Sequence, residues 1–326
     1  MTLEALTEFV RARTSSEEID SFTSGQGILL PDAVRAEIAQ VQSGTTAAEL
    51  TAGVVSLRNL MPAGDLFHTA LLALLSGTMV EHGADPGAAI DATLELLVRQ
   101  LDALAEKPDE LARAAGQLSI PASMTMLCRS KETRKRWRER PAIMDRLDQL
   151  EEDQLVPLWL RDVFTLHDDV DLLVLDPKNR RAFEFRLTGV RDRLYHCYAL
   201  LQDALLRHTG PGYLDADPVD PLAVRYARND HLTRADYDSA ATLMDHQRFN
   251  FAYPGVAFMP GSGSLDELPR LDGKHLLVVA PKGIHFNWRP SNMYGVLHDA
   301  LESSVELTRE FTSAEAESLL TRTGLA

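Results

Sequence analysis

Lys282, His285, Asn287, Trp288, Arg289, Asn292 and Tyr294 crowd into the segment HLLVVAPKGIHFNWRPSNMYGVLH, which runs from His275 to His298. Lysine and arginine supply cationic donors, asparagine and histidine add oriented hydrogen bonds, and a tryptophan wall excludes water, which strengthens both. That set suits a carboxylate, phosphate or sulfate. The same residues also make an ordinary loop, with Trp288 filling the core, the cations pairing with surface acids, and Pro281, Gly283 and Pro290 turning the chain.

A second candidate is His196, four residues after Asp192. On one helix the carboxylate would lie a turn away and could orient the imidazole as a general base. Cys197 is adjacent to His196, so the two point in different directions and make a poor nucleophile pair. His167 opens a ligand-rich run with Asp168, Asp169 and Asp171, but no second spaced cluster accompanies it, so no metal site is expected. Asp65 with His68, and Glu81 with His82, can each share a helix face, whereas His231 and His246 stand singly. The glycines of GSGSLDELP, from Gly261, lack the Lys-Ser/Thr of a phosphate loop, and no GxGxxG joins a strand to a helix. GxSxG, HExxH, SxxK and kinase signatures are also missing, so the expected chemistry uses no cofactor.

These residues need elements to hold them. From Thr2 to about Ser119 apolar residues recur at helical spacing, predicting five or six helices. Ser15 or Ser16, Pro31, Thr46 and Pro86 mark their starts. The segment from Cys128 is basic and then acidic around Pro141, which reads as two solvated helices with ion-paired faces. A nucleic-acid surface would use Arg134, Arg136, Trp137 and Arg138, but Glu132, Glu139 and the acids at 151 to 153 offer partners for those charges.

Near Val170 the period becomes strand-like, and DLLVLDPKNRRAFEFRLTGV reads as a β-hairpin with Glu184 and Arg186 on its polar face. A helix follows over DRLYHCYALLQDALLRH, then a Pro/Gly/Asp-rich loop at 209 to 222. Further helices are expected at Pro221 to Arg228 and within ADYDSAATLMDHQ, with strands at Phe249 to Tyr253, Val256 to Met259 and His275 to Ala280. Thr312 and Glu315 have the spacing of a capping box for a closing helix. The expected fold is α+β: a helical region, 1–165, packed on a mixed region, 166–326, with a small antiparallel sheet.

Composition bounds the partners. The 326 residues are 45% hydrophobic with a formal net charge of −15 and a pI near 5.1, which argues against wrapping nucleic acid. The opening MTLEALTEF lacks a secretory signal, pointing to the cytoplasm. The apolar run at 66 to 80 is shorter than the ~20 residues that span a bilayer, so no membrane partner is expected. Cys128 and Cys197 are not in CxxC spacing and read as free thiols.

The run YHCYALLQDALL, followed by FNFAYPGVAFMP and DGKHLLVVAPKGIHFNWRP, resembles a group of uncharacterised actinobacterial proteins over the last half of the chain. That resemblance implies no activity, only a bacterial, secondary-metabolism setting. The functional expectation is a cofactor-independent enzyme acting on a small anionic molecule. Lys282 and Arg289 would stabilise a departing sulfate, phosphate or carboxylate, and His196 or His285 would accept a proton, as in closure of a small nitrogen ring. The alternative is a non-enzymatic interaction or assembly protein, in a homo- or hetero-oligomer, using Trp288, Arg289, Met293 and Tyr294 as contact residues.

Overall fold

Short polar signals set where the helices begin. Ser15 accepts from the Glu18 amide while Glu18 accepts from the Ser15 amide, and Thr46 with Glu49 and Thr312 with Glu315 repeat the reciprocal cap. The computed structural model describes residues 3–153, 156–244, 246–283, 289–290 and 297–326, and they divide into two units, Met1–Phe164 and Thr165–Ala326. The fold is α+β, helical in the first unit and mixed in the second.

The first unit runs α1 (Glu4–Arg11), α2 (Ser16–Thr23), α3 (Asp32–Gln42), α4 (Ala47–Leu60), α5 (Leu66–Glu81), α6 (Ile90–Glu106), α7 (Glu110–Cys128), α8 (Lys131–Arg138), α9 (Pro141–Glu152) and α10 (Leu158–Phe164). Seven of these begin before Ser119, where five or six were expected. Pro86 opens a short 3-10 turn rather than α6, and α7 continues through Pro121. The apolar run at 66 to 80 becomes α5, buried along most of its length, and a β-carbon on Gly77 would lie 3.2 Å from the Ala122 Cα on α7. No described helix is long and apolar enough to cross a membrane. The basic segment is less solvated than its charges predict: Trp137 is buried, and buried Arg134 donates to the Leu127 and Cys128 carbonyls at the end of α7.

The second unit is built on a sheet. Strands β1 (Val170–Asp176) and β2 (Arg181–Thr188) form the expected hairpin, followed by helices α11 (Leu194–Thr209), α12 (Pro221–Arg228) and α13 (Arg234–Ala240). Strands β3 (Phe249–Ala252), β4 (Arg270–Leu271), β5 (Lys274–Pro281) and β6 (Ser304–Glu310) follow, and a helix, Ser313–Arg322, closes the chain. The order is β3-β5-β1-β2-β6, with β4 paired to β5 off that path. The expected small antiparallel sheet is therefore larger and mixed, because β1 and β5 are parallel, Leu172 opposite His275. Residues 256 to 259 form no strand; Val256 makes only an isolated bridge to Tyr253.

Alternation places Phe183, Phe185 and Leu187 under α11, with Leu172, Val174, Leu277 and Val279 beside them. Leu173, Leu175 and Leu276 face the closing helix through Leu319 and Leu320, so the central strands are covered on both sides. Tyr198 of α11 stacks on Phe251 at 4.3 Å and donates its hydroxyl to the Met259 carbonyl at 3.1 Å. Each large apolar side chain so buried contributes roughly 1.5–3 kcal/mol before entropic costs. On the polar face of the hairpin the expected ion pairs form: Arg186 with Asp171 at 2.7 Å and Lys274 with Glu184 at 2.5 Å.

Candidate functional site

The start of α11 carries the densest group of acid–base side chains described in the second unit. Gly189, at a φ of 60°, turns the chain out of β2; a β-carbon there would lie 2.3 Å from the Glu302 carbonyl oxygen. Val190 exchanges backbone hydrogen bonds with His167 at 2.7 and 3.1 Å, which fixes the histidine's main chain. Leu194 and Tyr195 donate their amides to the Gly263 and Gly261 carbonyls at 3.0 and 2.7 Å, so the glycine-rich loop caps this helix. Gly261 is glycine because the Tyr195 ring lies against it, 2.3 Å from where a β-carbon would sit. The glycines thus serve a close approach, not a phosphate.

Asp192 is the centre of the arrangement. The Ser264 hydroxyl lies 2.9 and 2.8 Å from its two carboxylate oxygens, and His167 Nε2 lies 2.8 Å from Oδ1. Ser264 also accepts from the Asp266 amide at 3.0 Å, which sets Asp266 in the short turn Leu265–Glu267. One ligand atom each from His167, Asp192 and Asp266 lies within 4.8 Å of the others. His167 is buried, Asp192 half-buried and Asp266 exposed, so the group runs from the interior to the surface. His275 closes the inner side, its ring 6.2 Å from that of His167 and perpendicular to it. Arg270, opposite His275 in the β4–β5 pair, places a guanidinium nitrogen 3.2 Å from His275 Nε2 and 3.8 Å from Asp266. A guanidinium only donates, so Nε2 accepts and the His275 proton sits on Nδ1.

His196 has a different role from the one its spacing predicts. α11 begins at Leu194, two residues after Asp192, so the pair never shares a helix and the Asp192 carboxylate is placed on His167 and Ser264. His196 Nδ1 accepts from the Arg191 amide at 3.0 Å, and Nε2 donates to the Ala227 carbonyl at 2.6 Å. Burial, with Arg191 adding repulsion, pushes its pKa down to about 3. With its lone pair engaged it is no general base. Cys197 is buried beside it, its thiol pushed up to about 12 by desolvation, and neither Cys128 nor Cys197 is in a disulfide.

Lys282 stands apart from this cluster. Lys282 follows β5 directly and is half-buried, while Arg289 is exposed. His275 lies at the opposite end of β5, about 23 Å away at the rise of a strand. His285, Asn287, Trp288, Asn292 and Tyr294 lie outside the described residues. In the first unit a groove of 630 Å³ includes Glu49, whose carboxylate is committed to capping α4.

The sequence flagged His167 but paired it with the wrong acids. Asp168 accepts from the Gly189 amide and Asp171 pairs with Arg186, whereas the convergent carboxylates come from Asp192 and Asp266, remote in sequence. No protein-family model, curated protein or solved structure matches this chain.

Proposed function

We propose that the chain is a small-molecule enzyme whose second unit works with a divalent metal ion held by His167, Asp192 and Asp266. One observation carries this: a buried imidazole nitrogen and two carboxylates converge within 4.8 Å at a point open to solvent on the Asp266 side. Three protein ligands leave a coordination position for water or substrate, the mark of a catalytic rather than a structural zinc-type site. An ion there would polarise a bound oxygen or lower the pKa of a bound water. Ser264 hydrogen-bonds the Asp192 carboxylate, the kind of support that orients metal ligands. Without an ion the same groups form the hydrogen-bonded clasp that ties α11 to the 261–266 loop.

This reading departs from a cofactor-free enzyme because His196 is unavailable and the strongest cluster has ligand chemistry. Titration calorimetry with zinc and manganese tests it. The wild-type chain should bind one ion, and His167→Ala or Asp266→Asn should weaken binding by at least about tenfold, as expected when one ligand is lost. No heat of binding, or equal affinity in both variants, removes the metal reading.

A protein-contact role is the second reading, favoured by Trp159, whose side chain stands 53% exposed on α10. Loss of a measurable self-association on Trp159→Ala would support it.

A further inference from the structure

We infer that Arg270 is the anion-recognition residue of this site, so that the molecule bound there carries an oxyanion group. The inference rests on the metal reading and adds the substrate class to it. Local charge makes the argument. The two carboxylates, from Asp192 and Asp266, would balance the charge of a divalent ion. Arg270 would then add a positive charge beside that ion. Asp266, its carboxylate neighbour at 3.8 Å, is one of the metal ligands, so its charge is directed to the ion.

The geometry keeps that charge where a ligand would meet it. Asp272 and Gly273 both have positive φ, 53° and 82°, the requirement of a tight two-residue hairpin turn, and this turn sets Arg270 opposite His275. One guanidinium nitrogen is directed at His275 Nε2, while the side chain remains 55% exposed. A planar fork fixed at one corner and open at the others matches two oxygens of a carboxylate or of a tetrahedral anion. An oxyanion bridging the ion and Arg270 satisfies both positive groups at once. Lys282 follows the other end of β5.

Calorimetric titration of the full chain with sodium acetate and with sodium sulfate, in the zinc-loaded and metal-free states, tests the assignment. Acetate or sulfate should bind the zinc-loaded protein, and Arg270→Ala should weaken that binding by at least about tenfold, the scale of losing a charge-assisted contact. Arg270→Lys should recover part of the loss, and zinc affinity should change in neither variant by more than about threefold. Tighter acetate binding assigns a carboxylate, and tighter sulfate binding a tetrahedral oxyanion. If zinc binds but both anions bind Arg270→Ala as they bind wild type, or neither binds wild type, the assignment is overturned and the metal reading stands. If zinc does not bind, the metal reading fails. The assignment then falls with it.

Discussion

Three histidines show how hydrogen-bond partners decide what an imidazole can do. His68 is buried with Nδ1 3.2 Å from the Ala12 carbonyl and Nε2 3.1 Å from Glu18. Both neighbours are acceptors, and the Glu18 contact ties α5 to α2. Burial raises the Glu18 carboxyl, but hydrogen bonds from Ser15 and the His68 contact outweigh it and hold it below its ordinary value. His196 is the reverse case, a neutral ring between an amide and a carbonyl. Because its folded pKa of about 3 lies below the unfolded value near 6.5, the unfolded chain takes up a proton that the folded chain refuses. Its contribution is therefore complete above about pH 6.5 and is lost as pH falls toward 3, at up to about 1.4 kcal/mol per pH unit. Urea unfolding between pH 4 and 7 should show His196→Gln with a shallower loss of stability on acidification than wild type. Equal slopes would contradict the neutral, buried assignment. At His167 the carboxylates of Asp192 and Asp266 converge within 4.8 Å of a ring nitrogen.

The elements matter because they bring that partner. Reciprocal caps, the hairpin at β1–β2 and helix α12 were legible because each is set by residues within a few positions of one another. Strand β6 was not, since Val305 is its one fully buried residue and its alternation is mostly polar. The start of α11 was misjudged by two residues, which was enough to turn Asp192 away from His196 and toward His167. That boundary is set by Gly261 and Gly263 accepting the first helical amides, a tertiary contact that local spacing does not encode. The same holds for the site, whose three proposed ligand residues come from three separate segments. The Asp272–Gly273 turn is the local device that aims Arg270, and a β-carbon at Gly273 would meet nothing within 4 Å. Gly273→Ala should thus cost about 1–2 kcal/mol through its φ alone. Chemical unfolding measures this, and an unchanged midpoint would show that the turn does not impose that conformation.

At the scale of the molecule, each proposed ligand and Arg270 belong to the second unit. A chain with 48 acidic and 33 basic residues attracts cations over its whole surface. Binding stoichiometry alone therefore does not locate an ion, and position must be measured. Anomalous diffraction at the zinc edge, from crystals of the full chain grown with equimolar zinc, does so most directly. The account predicts one dominant peak about 2.0–2.2 Å from His167 Nε2 and from a carboxylate oxygen of Asp192 and of Asp266, absent in His167→Ala. A dominant peak elsewhere, or the His167–Asp192 hydrogen bond intact with no peak beside it, would contradict it.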